Sequence, residues 1–464
     1  MGKKLVKKVK VRIPWVSHVV DDANVALDIN PDPNLPIPDL SEAVEGRVPW
    51  GSRCPLCRGT KFLCGRTRCP VITRFYGLVR ARESLSGTMV DGSSPPSVFV
   101  GRIGYPFVYA GPVVPPIHGD TGVYDSPELW FGSHSLKNIV DYRLSLVRGK
   151  FRVDVRSADP EKMSSAVGRL LQETQELALA SRSVDTEMEL KKPPNRDLIL
   201  GPDIQPMGFS GLIKRFYTSS SHADHKLERA FSDTDLLAKE AMITLHHQDV
   251  PVTRIQRGLS TGCFGIHHQR KLVPTRWSIT AVDSTVSIHL REKVKEYPLI
   301  NEVRVYETNY LDNRFLIVLL PEAWSYELVE AWYPGTTWNP DPKNVAVGSD
   351  WEGYRGRTKY ARIGGCYYAS RLAVTEYLSQ ERRQATALVL RESYPGFTLP
   401  LGVWLVRECV RDAFENTPLN FNTFQEAIEH VKARMKIPLK YWVKSSALLD
   451  HSFNQAKLTD YFYN

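Results

Sequence analysis

The chain has 464 residues, 42% of them hydrophobic and 10% aromatic, which describes a folded protein of about two to four structural units and excludes a disordered or collagen-like one. Its 60 Lys and Arg exceed 51 Asp and Glu, and the net charge of +9 suits an anionic partner such as nucleic acid without choosing one. No apolar run reaches the ~18 residues of a membrane span and no signal-peptide core follows the N-terminal charges, so a cytoplasmic protein with no membrane partner is expected.

The chain opens with Lys3, Lys4, Lys7, Lys8, Lys10 and Arg12, a basic arm in which valines alternate with the cations, so that an edge strand competes with a loose arm. Residues 13 to 50 are rich in Pro, Asp and Asn and form a connector, which makes 1–50 an arm and linker. Four of seven cysteines then fall close together. Cys54, Cys57, Cys64 and Cys69 have the spacing C-x2-C-x6-C-x4-C, a closed thiolate set for a structural zinc ion. A loop this short has no core of its own, so metal binding would supply its folding free energy. An iron–sulfur cluster uses the same ligands and is the rival. Arg53, Arg58, Lys61, Arg66 and Arg68 stand among the sulfurs beside Phe62, a composition that suits phosphate and base contacts as well as an ordinary basic loop. This finger is assigned to residues 51–75. Cys366 and Cys409, in apolar surroundings, read as small core residues.

The body, 76–335, begins with short β-prone runs broken by Gly and Pro between Ser93 and Pro116. Within them Arg102 lies between two glycines, either where backbone approaches a ligand or in a plain hairpin. Helical periodicity follows over Asp159 to about Ala180 and roughly Ala223 to His247. From Gly262 to Asp283 the chain collects donors. Lys271 and Arg276 could neutralise phosphate, Trp277 offers a stacking face, and Asp283, expected on a following strand, could bind metal or act as a base. Equally, Arg276 could pair with Asp283 while Trp277 fills the core. Residues 272–290 read as tandem strands or a strand entering a helix. Arg304–Tyr310, Phe315–Leu320 and Ser325–Trp332 read as an antiparallel meander with its first turn at Asp312-Asn313.

Pro334 to Lys343 is the expected internal boundary, and 336–445 is expected to be a helical part with helices over Tyr367–Arg383, Leu401–Phe414 and Phe424–Met435. Arg407 and Arg411, at i and i+4, share a helix face and could grip phosphates, or lie on a solvated face with Glu408 and Asp412. The class is α+β, with a central, largely antiparallel sheet, flanking helices, an N-terminal four-cysteine finger and a flexible tail over 446–464.

The tail ends Gln455-Ala-Lys-Leu458-Thr-Asp-Tyr461-Phe462-Tyr-Asn464. Leu458, Tyr461 and Phe462 at i, i+3 and i+4 would share one side of a helical turn. The pattern Q-x-x-L-x-x-Y-F resembles the peptide by which replication and repair proteins dock on the sliding clamp, PCNA. A turn folded onto the chain's own core is the alternative.

The cysteine finger, Pro96-Ser-Val-Phe-Val-Gly-Arg-Ile-Gly-Tyr-Pro106, Val273-Pro-Thr-Arg-Trp-Ser-Ile-Thr-Ala-Val-Asp283, Pro400-Leu-Gly-Val-Trp404 and the terminal peptide together resemble the archaeal Nre DNA repair family. The resemblance implies a cytoplasmic, nucleoid-associated repair protein whose partners are the clamp, through Gln455, Leu458, Tyr461 and Phe462, and DNA or another nucleic acid. Tyr461 stands where many clamp peptides carry Phe. The resemblance carries no settled reaction. The alternative to a recruitment protein is therefore an enzyme, a nuclease or a nucleotide- or nucleobase-processing one, using the Lys271–Asp283 segment with the C-terminal arginines.

Overall fold

A computed structural model of the protein describes residues 87–158, 165–194, 207–219, 222–334, 336, 339, 344–397 and 399–454. The basic arm, Cys54, Cys57, Cys64 and Cys69, and the peptide residues Gln455, Leu458, Tyr461 and Phe462 lie outside the described residues. Two compact units are formed, Met1–Thr285 with Thr398–Gly402, and Val286–Phe397 with Val403–Asn464.

In the first unit, the stretch Val147–Asp154 sets the pattern. Val147, Phe151 and Val153 are buried while Arg148, Lys150 and Arg152 alternate with buried positions, as an extended chain with one apolar face requires. It is β4 of a six-stranded sheet with β1 (Met89–Ser94), β2 (Val98–Val100), β3 (Phe107–Val114), β5 (Val184–Leu190) and β6 (Ser210–Thr218), in the order β1-β5-β6-β4-β3-β2. Only β4 and β6 pair in parallel in this sheet, among the described residues. Helices α1 (Pro127–Trp130), α2 (Leu136–Ser145), α3 (Ala166–Leu179), α4 (His225–Ser232), α5 (Ala238–His247) and α6 (Val252–Ser260) complete it, and α7 (Thr275–Val294) begins in it. Leu171 and Leu177 of α3 share one apolar cluster with Val90, Val108, Ala110, Phe151, Val153, Met188 and Ile213. Each of these side chains larger than alanine stabilises by about 1.5–3 kcal/mol when fully buried. A Cβ on Gly149 would overlap Met188 and Ile213, so the glycine lets the cluster close over β4.

Two expectations are corrected here. The helix read over Ala223–His247 is two, because Asp233 Oδ1 accepts from the backbone N–H groups of Asp235 and Leu236 and caps a break between α4 and α5. Asp283 is not on a strand, since 275–294 is one helix. Its inward stripe of Ser278, Val282, Asp283, Val286, Ser287, Leu290, Arg291 and Val294 follows helical spacing, but half its members are polar.

The second unit holds another six-stranded sheet, of β7 (Val303–Tyr310), β8 (Asn313–Leu320), β9 (Ser325–Trp332), β10 (Ala346–Glu352), β11 (Thr386–Ser393) and β12 (Leu419–Phe421), in the order β10-β9-β11-β8-β7-β12. Helices α8 (Gly365–Glu381), α9 (Trp404–Glu415), α10 (Phe424–Arg434), α11 (Leu439–Val443) and α12 (Ala447–Asn454) accompany it. Ala427, Ile428, Val431, Trp442 and Leu449 pack on Val305, Leu316, Val318, Val329 and Leu390, while Tyr326 and Tyr306 meet Tyr367 and Phe414 of α8 and α9. The hairpin β7–β8 is as expected, but the meander stops there. β11 inserts between β8 and β9, antiparallel to the first and parallel to the second. Burial at every position of β11 marks it as a central strand. The segment expected to be mainly helical thus also supplies β10, β11 and β12. Pro334–Lys343, the expected boundary, separates the paired strands β9 and β10. Cys409 is buried as expected of a core thiol, and Cys366 is half-buried.

Candidate nucleic-acid interface

Residues paired across strands share a face. The pairs Tyr109 with Arg152, Phe107 with Asp154, Val113 with Arg148, and Lys150 with Leu212 therefore place Arg148, Lys150 and Arg152 on the side of β4 where Phe107 and Tyr109 emerge. Phe99, paired with Gly111, joins them. Phe107 and Tyr109 are 48% and 41% exposed. Each cation lies on a ring: Arg148 Cζ is 4.5 Å from the Phe99 centroid, Arg152 Cζ 5.4 Å from Phe107, and Lys150 Nζ 6.0 Å from Tyr109. No ion pair joins these three cations to a carboxylate among the described residues. Burial lowers the Arg148 pKa, and burial together with the neighbouring Arg148 charge lowers that of Lys150. Burial disfavours both charges, and Arg148 adds repulsion at Lys150, so an anion placed over these rings would stabilise them.

The β2–β3 connection extends this surface. Val100 N donates to Thr275 Oγ1 at 2.9 Å, fixing the start of α7 at the end of β2, and the rings of Tyr105 and Trp277 meet with centroids 5.4 Å apart. Both rings are about half exposed, at 52% and 46%, so Trp277 does not fill the core. Arg102, Lys271 and Arg276 are exposed. Across β6 the sign of the surface changes: Glu189 takes Lys214 at 2.6 Å and Arg215 at 3.9 Å, and Asp185 and Glu187 stand exposed on β5.

Other expected site residues are held inside. Asp283 is buried and accepts from Gln256 Nε2 at 2.9 Å, which removes it from solvent as a base or ligand. Arg407 is 1% exposed and meets Glu408 at 3.2 Å. Arg411 is clamped by Glu376 at 2.7 Å and Glu408 at 3.1 Å. The α9 arginines therefore face the protein and do not form a phosphate-gripping stripe. A separate depression on the first unit is lined by Ser93, His118, Arg182, Asp185, Ser219 and His222. There Ser93 Oγ donates to Asp185 at 2.5 Å, and His118 lies 3.4 Å from Asp91 and 3.5 Å from Asp185. The hydroxyl gives its hydrogen to a carboxylate instead of the imidazole, so this is not a nucleophile–base pair. No group of three or more His, Cys, Asp or Glu suited to a metal ion occurs among the described residues.

Arg148, Lys150, Arg152, Phe107 and Tyr109 were not singled out by motif. Their signal is the period-two run Arg148-Gly-Lys150-Phe-Arg152-Val, in which every second residue from Arg148 is a cation.

A sequence profile described as "Archaeal Nre, N-terminal" matches residues 63–339, and one described as "Archaeal Nre, C-terminal" matches 352–461. DNA repair protein NreB of Archaeoglobus fulgidus is 42% identical over 397 residues, covering 85% of this chain and 96% of that protein. DNA repair protein NreA of the same organism is 36% identical, covering 83% and 94%. DNA repair protein NreA of Haloferax volcanii is 34% identical, covering 78% and 86%. No solved structure matches the chain. With both profiles matched and these relatives covered nearly end to end, the chain belongs to the archaeal Nre family.

Proposed function

We propose that this chain is a DNA-repair protein that holds nucleic acid on the basic, aromatic face of β2, β3, β4 and β6 and is recruited to the sliding clamp by its C-terminal peptide. The names of its three relatives support the repair role. The observation that carries the binding site is the row Arg148, Lys150 and Arg152, laid on aromatic rings and paired with no carboxylate among the described residues. Cations for phosphates beside ring faces for bases are the two elements of strand binding. Binding of a labelled oligonucleotide over a range of salt concentrations tests it. With Lys150→Ala and Arg152→Ala together, the slope of log affinity against log salt falls by about 1.4–1.8 for two lost phosphate contacts. An unchanged slope and affinity would remove the site.

The peptide Gln455, Leu458, Tyr461 and Phe462 would tether the body to the clamp, raising its local concentration at DNA even where the peptide alone binds weakly. Truncation after Asn454 abolishes clamp binding on this reading, and retained affinity would refute it. Cys54, Cys57, Cys64 and Cys69 supply four soft thiolates with no open position, a donor set that fits a structural zinc ion whose chemistry is to hold the finger folded. Among the described residues no helix is long and apolar enough to cross a membrane.

A further inference from the structure

The turn that follows β10 in the second unit is acidic beneath and basic and aromatic outside. Between Asp350 and Arg362 the only carboxylates are Asp350 and Glu352, and both are buried. Asp350 takes Arg357 at 2.8 Å and the backbone N–H of Arg362 at 2.5 Å. Glu352 takes Arg371 at 2.6 Å and Arg291 at 3.2 Å. Above them Arg355, Lys359 and Arg362 are exposed, and no carboxylate among the described residues pairs with them. Trp351, Tyr354 and Tyr360 are also exposed, the two tyrosines at 51% and 63%.

This backbone is fixed. Gly353 and Gly356 form a bridge, Gly356 has φ +76°, and a Cβ there would overlap the Arg291 guanidinium. Lys295 Nζ sits 4.9 Å from the Tyr354 centroid. Tyr360 leans on Tyr368 with centroids 5.3 Å apart, so each tyrosine keeps one contact with the fold and turns about half or more of its surface to water. A buried ion network gains little over an apolar replacement, but it does fix one geometry. The exposed faces of the two rings, held over a network that fixes one geometry, suit a rigid surface built for recognition.

We infer that the turn 351–362 is a second nucleic-acid contact, which takes an unpaired stretch with Arg355, Lys359 and Arg362 on phosphates and Tyr354 and Tyr360 stacked on bases. Its residues are disjoint from those of the β2–β3–β4–β6 face. An acidic peptide would satisfy the cations but offers few planar faces for the rings. In a duplex the base faces are already stacked on one another.

The test uses the full chain with labelled oligo(dT) and a labelled duplex of the same length. Arg355→Ala, Lys359→Ala and Arg362→Ala together lower the oligo(dT) salt slope by about 2, for three contacts on a single strand. Tyr354→Ala with Tyr360→Ala weakens oligo(dT) binding about tenfold or more while leaving duplex binding unchanged. Wild-type affinity and slope in both variants would overturn the proposal, as would equal loss on duplex in the tyrosine variant. Combining each set with Lys150→Ala and Arg152→Ala keeps the two surfaces distinguishable: a loss from the turn variants alone supports the turn even where the sheet variants lose nothing. Photo-crosslinking of thiothymidine-substituted oligo(dT) to the 351–362 peptide supports the contact directly, and crosslinks everywhere else but there would overturn it.

Discussion

Arg371→Met isolates the network under the turn. Arg371 and Glu352 have 1% and 0% of their side-chain surfaces exposed, with a contact of 2.6 Å. At an effective dielectric of about 20 their attraction is about 6 kcal/mol. Removing two ions from water costs several kcal/mol each, so the intact pair is near break-even. Deleting one partner is different, because Glu352 stays buried. The usual cost is about 3–5 kcal/mol, and the remaining Arg291 at 3.2 Å should hold this case near the lower end, about 3 kcal/mol. Met keeps most of the volume between Tyr367 and Tyr368, whose rings Arg371 now touches. Native-state hydrogen exchange reads the effect locally: opening free energies for amides of β10 and α8 should fall by that amount. Adding Glu352→Gln to Arg371→Met should cost less than the sum of the single losses, since no ion is then stranded. A single variant within about 1 kcal/mol of wild type, or strictly additive losses, would refute the account.

Glu327 accepts from Ser446 Oγ at 2.6 Å, Leu448 N at 2.8 Å and Ala447 N at 2.9 Å, anchoring the start of α12, which ends at Asn454, just before the peptide proposed to bind the clamp. Burial raises its pKa, outweighing those hydrogen bonds, so its contribution is fullest below the usual carboxylate range and is lost as pH rises through the folded value. Protection of amides 447–450, taken relative to their intrinsic exchange rates, should fall over that rise, and Glu327→Gln should abolish this dependence while costing about 1–3 kcal/mol for a backbone donor left without its acceptor; an unchanged pH profile of protection in the variant would refute this. The hydrogen bond to Asp185, then the charge of Asp91, raise the His118 pKa, so that contribution is present below the usual imidazole value and is lost as pH rises through the folded one. Asp185→Asn should return the imidazole toward its ordinary value in an NMR titration, and an unmoved midpoint would refute the pairing. Elemental analysis of the purified chain should find zinc equimolar with protein and absent after Cys57→Ser, whereas equimolar iron with acid-labile sulfide would identify a cluster instead.

Local pattern and tertiary placement divide what the residues disclose about this fold. The β7–β8 hairpin was legible because turn residues stand between two β-prone runs, although the left-handed pair is Leu311 and Asp312, one residue before the expected position. The insertion of β11 was not, because Thr386–Ser393 is buried on both faces and carries no alternation to show its partners. Residues 275–294 concealed their helix behind β-branched residues and a half-polar inward stripe. The candidate site divides in the same way. Arg102 was visible as a cation between two glycines, and Trp277 as a ring in a donor-rich run. Arg407 and Arg411 show that a shared face does not reveal whether that face looks outward.

The turn 351–362 shows how this division bears on binding. Along the chain two acids, Asp350 and Glu352, precede four bases, Arg355, Arg357, Lys359 and Arg362, so the segment is modestly basic. The fold turns Asp350 and Glu352 inward onto Arg357, Arg291 and Arg371, and leaves Arg355, Lys359 and Arg362 at the surface. A buried carboxylate paired with a buried guanidinium contributes almost no field to solvent, so the potential an approaching phosphate meets is set by the exposed cations alone. The chain's modest net charge therefore understates the attraction at this turn. On β4 the balance is different: Asp154 shares the face of Arg152 but meets Arg156 at 3.4 Å, and the carboxylates of β5 are either engaged by Lys214 and Arg215 or displaced across β6. Neutralising Arg371 should accordingly weaken oligo(dT) binding by loosening the turn, without removing any charge from the binding surface.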